Sequence, residues 1–137
     1  MKNLLVVAFM LAFSFAAKSQ LVFNINQAGS SFKDRTGRYE NAELKDANLT
    51  ITIQNQEVRM KGKENVSYKL SKIDDEKKVN QYTYSQLGHA VDANNNTVTF
   101  KFTVNTKSKD AVVELANNGV KNYYFGTCNY GEKLSKL

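Results

Sequence analysis

Side chains able to act as a general base or a nucleophile near neutral pH are scarce in this chain. Its 137 residues include one histidine, His89, and one cysteine, Cys128. A serine hydrolase would need His89 beside an activated serine, and no Gly-x-Ser-x-Gly elbow is present. A histidine next to a glycine at a strand break is ordinarily structural or exposed. A thiol–imidazole pair of Cys128 and His89 is conceivable chemistry. Cys128 closes an aromatic run, however, where a buried inert thiol is the usual case. In an exported chain a lone cysteine can pair only with another chain. One His and one Cys also fall short of the roughly four ligands of a zinc site. Asp74-Asp75-Glu76 and Asp92-Ala93-Asn94-Asn95-Asn96 supply oxygens, but neither has the closing carboxylate of a calcium loop. Both read as solvated turns. Glycoside hydrolysis needs two carboxylates across a cleft, and no pair stands out. The expectation is a non-enzymatic chain with no metal and no cofactor.

Binding is the chemistry that remains. The chain holds 7 Tyr and 8 Phe. Tyr68, Tyr82, Tyr84, Tyr123 and Tyr124 fall on strand-like runs and are the candidate ligand-binding residues. A phenol has an apolar body and a polar tip, which suits a partly wet pocket or a sugar-stacking surface. The bland alternative is that these tyrosines fill a small β core with their hydroxyls at the rim, since Tyr favours strands in any case.

The elements that must position them begin after an N-terminal address. Met1-Lys2-Asn3 is a short basic region and Leu4 to Ala17 is almost unbroken apolar sequence, with small residues flanking Lys18 before Gln20. This is the layout of a signal peptide spanning 1–19. The run is shorter than the roughly 20 residues that cross a bilayer, so no transmembrane anchor is expected in the mature chain. Cleavage leaves roughly 118 residues, one domain spanning 20–137 and large enough for a real core. The formal net charge of +6 falls to about +4 once Lys2 and Lys18 are removed. Acidic residues interleave with the basic ones, so no nucleic-acid footprint is expected.

The organising strand is Thr97 to Val104, where Val98, Phe100, Phe102 and Val104 share one face in strict period two. Proline is absent, so Gly, Asn, Asp and Ser mark the turns. Leu21 to Ile25 reads as the first strand, 26–38 as a long loop, and Tyr39 to Lys45 as an edge strand or irregular segment. Asn48–Gln54 and Glu57–Lys61 form a hairpin across Asn55-Gln56. Val66–Ile73 comes next, with Ile73 out of phase, which predicts a bulge or the strand's end. Asp74–Asn80 reads as a charged turn and Gln81–Leu87 as a strand that Gly88 breaks, with His89-Ala90-Val91 a continuation of it after a kink. Ala111–Ala116 and Val120–Cys128 complete the set. The expected core face comprises Leu21, Phe23, Leu49, Ile51, Ile53, Val58, Met60, Val66, Tyr68, Leu70, Tyr82, Tyr84, Val98, Phe100, Phe102, Val104, Val113, Leu115, Tyr123 and Phe125, with Phe100 and Phe102 plugging the centre.

About eight strands at short spacings predict an all-β, antiparallel meander: a small barrel, half-barrel or sandwich, with a lipocalin-like barrel among the options. The signal segment, together with Leu49-Thr50-Ile51-Thr52-Ile53, Val66-Ser67-Tyr68-Lys69-Leu70, Val98-Thr99-Phe100-Lys101-Phe102 and Tyr123-Tyr124-Phe125, resembles small secreted β-proteins of the Bacteroidetes. That resemblance implies export to the periplasm or beyond and brings no activity or site residue with it. The expected role is a small-ligand-binding or accessory module, for an apolar or sugar ligand. Alternatives are an interaction or structural component that engages an envelope protein and, remotely, a hydrolase.

Overall fold

The computed structural model describes residues 20–129. The signal segment and the tail beyond Asn129 lie outside the described residues. Nine strands succeed one another in chain order: β1 (Leu21–Phe32), β2 (Lys45–Gln54), β3 (Glu57–Lys61), β4 (Asn65–Ile73), β5 (Lys77–Lys78), β6 (Thr83–Val91), β7 (Thr97–Asn105), β8 (Asp110–Asn117) and β9 (Val120–Cys128). All pairings are antiparallel. Strand β1 pairs with both β2 and β9, and β4 pairs with β6, so the sheet closes on itself. The result is an eight-stranded up-and-down barrel. The fragment β5 lies beside β6 beyond the point where β4 ends.

Local sequence explains why the chain reverses where it does. Asn55 and Gln56 have φ of 53° and 59°, and Asn118-Gly119 have 48° and 79°. Two consecutive left-handed residues make the type I′ turn whose twist suits a two-residue hairpin. At the β6–β7 turn the Asp92 carboxylate accepts the backbone N–H of Asn94 at 2.8 Å and of Asn96 at 2.9 Å. Asp34 does the same for Thr36 and Arg38 at the tip of the β1–β2 connection. Short acceptor side chains thus serve backbone donors where proline is absent.

The strands run steeply oblique to the barrel axis. One paired row passes from Ser30 to Asn122, Leu115, Phe100, Gly88 and Ile73, and so descends from the far end of β1 to the last residue of β4. Such stagger widens a barrel of given strand number, and large rings fill the width. Phe23, Phe100 and Phe102 are fully buried. Phe102 stacks on Phe23 at 5.7 Å and on Phe100 at 6.1 Å, and Tyr68 meets Phe100 edge-on at 5.2 Å. Phe100 and Phe102 therefore do plug the centre.

Several expectations need correction. The residues expected to form a loop from 26 onward continue β1 as far as Phe32, and both of its pairings shift register at Asn26, which is the extra residue against β9 while β2 carries the extra residue on the other side. A polar strand is hidden there because one bulge breaks the alternation. Gly88 does not end a strand: β6 runs through it, and it packs against Leu70, Ile73 and the Lys72 carbonyl. Ile73 comes after a bulge, as its phase predicts. The charged turn contains β5. Four members of the expected core do not belong to it. Tyr82 and Val66 are exposed. Tyr123 and Phe125 point outward from β9, since Tyr124, Gly126 and Cys128 take the inward positions. Ile25, Ala90, Ala111 and Cys128 are buried instead.

Closure of β1 onto β9 depends on Gly126. A Cβ there would lie 1.8 Å from the Asn24 carbonyl oxygen, a backbone atom that cannot swing aside. Gly126→Ala should cost about 3 kcal/mol, at the upper end for overpacking. Urea denaturation measures it, and a midpoint equal to that of the parent would refute this account of the seam.

Candidate functional site

A meander places alternate connections at opposite ends. One end, here the upper, carries the β1–β2 connection and the β3–β4, β6–β7 and β8–β9 turns. The lower end carries the β2–β3 and β7–β8 turns and the chain between β4 and β6. The lower end is packed shut. Leu21, Ile53, Phe102, Val104, Ala111 and Cys128 are buried there. Gln86, only 2% exposed, donates its Nε2–H to the Asp74 carbonyl at 2.8 Å, which ties the β4–β6 connection across that end.

The upper end is open. Pairing of β2 with β3 stops at Thr50 and Lys61, so Lys45 to Leu49 have β1 beside them but no β3. The short β3–β4 hairpin brings its tip to this gap, where a Cβ on Gly62 would lie 3.1 Å from the Leu49 Cβ. The inward side chains of Leu49, Met60 and Val66, with Ala47, are left lining a recess of about 840 Å³. Asp46, Lys63 and Glu64 form its polar rim. Val66 stands opposite Met60 on the inward face, yet it is 38% exposed. A second recess of about 460 Å³ is lined by Ser30, Asn122 and Tyr124, with Glu43 and Lys45 at its edge. Ser30 donates its hydroxyl proton to Asn122 Oδ1 at 2.6 Å.

Tyr68 stands edge-on to Phe100 and lines a separate groove beside Val91 and Asp92, while Tyr124 lines the second recess. Each is inward-facing, opposite Val58 and Val113 respectively. Burial pushes both phenols above their ordinary value, and the Asp92 carboxylate adds to the push on Tyr68. Tyr68 in turn adds to the push on Tyr124, so the two hydroxyls are electrostatic neighbours. Asp92 itself is held below the usual carboxylate range, first by the Asn96 backbone N–H. Near neutral pH the mouth therefore combines two neutral phenols, carboxylates at its edge and a wall of aliphatic groups. This arrangement can bind and orient. It does not present a nucleophile with a base.

The structure does not gather the five candidate tyrosines into one place. Tyr68 and Tyr124 belong to the mouth. Tyr84 points inward at the lower end, opposite Val104. Tyr82 is exposed at that same end, with the Lys107 ammonium 5.2 Å from its ring centre. Tyr123 lies on the outer surface. Leu49, Met60 and Val66 read as core from the sequence, and only the early end of β2–β3 pairing makes them lining. Sequence reasoning misses Ser30 and Asn122 because one sits in the supposed loop and the other is a lone polar residue in an aromatic strand. His89 points outward from β6 opposite Thr99, whereas Cys128 is buried on the inward face of β9. They share no site, and the burial of Cys128 removes its thiol from reach of another chain. Among the described residues no group of three or more His, Cys, Asp or Glu could hold a metal.

Compared with known proteins, the chain matches no family model, no curated protein and no solved structure.

The two mouth phenols should ionise later than exposed ones. A raised acid pKa means that the unfolded state releases its proton first, so this contribution to stability is intact below about pH 10 and falls as pH rises beyond it. An alkaline absorbance titration should show a late tyrosinate step that shrinks in Tyr68→Phe and in Tyr124→Phe. Titration of all tyrosines in one step near the ordinary value would contradict the placement.

Proposed function

We propose that this protein is a non-enzymatic binder of a small amphipathic molecule, which it seats in the open upper mouth of the barrel. One observation carries the reading: inward-facing aliphatic side chains, Val66 above all, are uncovered at one end of an otherwise packed barrel. Uncovered apolar surface in a concave site is favourable to fill, at roughly 25 cal/mol per Å² removed from water. A recess of this size falls within the range of small-molecule sites. The apolar part of the ligand lies against Leu49, Met60 and Val66. Its polar part meets the Tyr68 and Tyr124 hydroxyls or the charged rim.

The N-terminal segment supports export, with the mature domain acting in the periplasm or outside the cell. The resemblance to secreted Bacteroidetes proteins fits that setting. Among the described residues no helix is long and apolar enough to cross a membrane.

A second reading, a protein-interaction component, draws on Lys45 to Leu49. That segment has a strand neighbour on one side only, and an open strand edge can accept an extended peptide.

Fluorescence titration with cis-parinaric acid separates the two. The first reading expects saturable enhancement, weakened about tenfold or more by Val66→Asp, since burying an unpaired carboxylate costs well over the 1.4 kcal/mol that tenfold represents. Val66 is already exposed in the free protein, so this variant should keep the parent's melting temperature. If neither parinaric acid nor anilinonaphthalene sulfonate brightens with the parent protein, small-ligand binding at the mouth is excluded.

A further inference from the structure

Strand β9 alternates, so while Tyr124 looks into the mouth its neighbours look out. On the outer surface the rings of Tyr123 and Phe125 lie 6.5 Å apart and within 20° of parallel. That spacing is the two-residue repeat of a strand, so the rings form a near-parallel pair along β9. Both are only partly buried. The neighbour of Tyr123 on β1 is Gly29, whose outward position is covered by the Glu43 carbonyl and the Leu44 side chain.

Cations border this pair. The isolated bridge between Lys33 and Tyr39 brings the Tyr39 ring alongside. The Lys121 ammonium lies 4.9 Å from the centre of the Tyr39 ring and 5.7 Å from that of Tyr123. Lys33 lies 5.4 Å from the Tyr39 ring centre. Glu114 is the ion-paired carboxylate at this face. It meets Lys121 at 3.4 Å and Lys101 at 4.0 Å, one negative charge between two positive ones. Among the described residues Lys33 has no carboxylate within ion-pair distance. The surface therefore combines aromatic rings with Lys121, which shares Glu114 with Lys101, and with Lys33, which no described carboxylate pairs.

We propose that this outer face of β9 binds an acidic polysaccharide of the polyuronate class. Sugar rings present C–H faces that stack on aromatic rings, and their carboxylates pair with Lys33 and Lys121. A lipid surface would call for protruding aliphatic groups, whereas the apolar groups named at this face are aromatic rings. A bare polyanion would leave the ring pair unused. The site is separate from the mouth and does not depend on what the mouth holds.

Affinity gel electrophoresis of the full mature chain tests this with alginate, neutral dextran and inorganic polyphosphate in the gel. Retardation by alginate alone, saturable and relieved by salt, supports the proposal. The double variant Lys33→Gln/Lys121→Gln, confined to the surface, should weaken it about tenfold, the loss of roughly 1.4 kcal/mol of charge and cation–π attraction. Tyr123→Ala/Phe125→Ala should weaken it at least as much, provided that its circular dichroism matches the parent. If that pair does not fold, Tyr123→Leu provides the aromatic test, with the same loss expected. Absence of alginate retardation overturns the proposal. So does polyphosphate retardation equal to that by alginate, which means charge alone, or equal retardation by dextran, which means the lysines are idle.

Discussion

Closing the barrel on one long strand is the constraint that governs the other features of the molecule. Strand β1 must satisfy β2 on one side and β9 on the other. Both partners change register at the same place, between Ile25 and Gln27. Against β9 the extra residue is Asn26 of β1, and against β2 it lies on β2, between Asp46 and Leu49, so both seams bend at one level, as bulges do in tightly curved sheets. On the opposing strand Gly126 permits the close approach, because any Cβ there would occupy the Asn24 carbonyl. Without the seam the sheet would have two open edges and a half-exposed phenylalanine face, both of them aggregation hazards.

Steep stagger makes the barrel wide, and the width decides how the interior is divided. Three phenylalanines in one stacked series fill the middle, and smaller aliphatics complete the lower layers. Above Phe100 the filling changes character. Tyr68 stands edge-on to it, and its hydroxyl needs either water or a partner. The upper layer is thus apolar at its base and wettable at its tip. The lower end makes a different compromise. Gln86 gains its tether to Asp74 but leaves Oε1 buried with no hydrogen-bond partner among the described residues, a deficit on the order of 1–3 kcal/mol. Holding the β4–β6 connection against the barrel is what that deficit is set against.

Much of the fold was legible because period two is hard to mistake where it is strict. Val98 to Val104, Leu49 to Ile53 and Val58 to Met60 declare their faces outright, and the Asn-Gly and Asn-Gln pairs declare their turns. Legibility failed where a bulge resets the phase. The second half of β1 reads as loop because Gln27, Gly29, Ser30 and Ser31 are small or polar, and Asn26 shifts the parity of every later residue in the strand. The mouth was legible only in part. An inward position can be read from alternation, but whether it is buried depends on how far the neighbouring strand extends. Val66 and Leu70 have the same parity on β4, yet Val66 is 38% exposed and Leu70 only 6%. The difference lies in the neighbours: Leu70 is paired with Ala90 on β6, while Val66 has no β6 partner. No local sequence rule carries that information.

The adjacent tyrosines Tyr123 and Tyr124 show the same limit most sharply. As a dipeptide they look like one aromatic patch, and a sequence reading naturally places them in one site. Residues next to each other on a strand project to opposite faces, so they cannot line one surface unless the strand is broken between them. Here it is not, since Tyr123 pairs with Glu114 and Tyr124 with Val113 in continuous register. Strand β9 therefore supplies two surfaces from alternate residues: a buried phenol over the phenylalanine floor, and an outward ring pair beside Lys121. A one-residue slip would exchange them, bringing Lys121 and Tyr123 into the mouth and Asn122 and Tyr124 onto the outer face. The Gly126 contact blocks that slip, because only glycine can occupy the position against Asn24. The residue that closes the barrel also fixes which tyrosine faces which solvent.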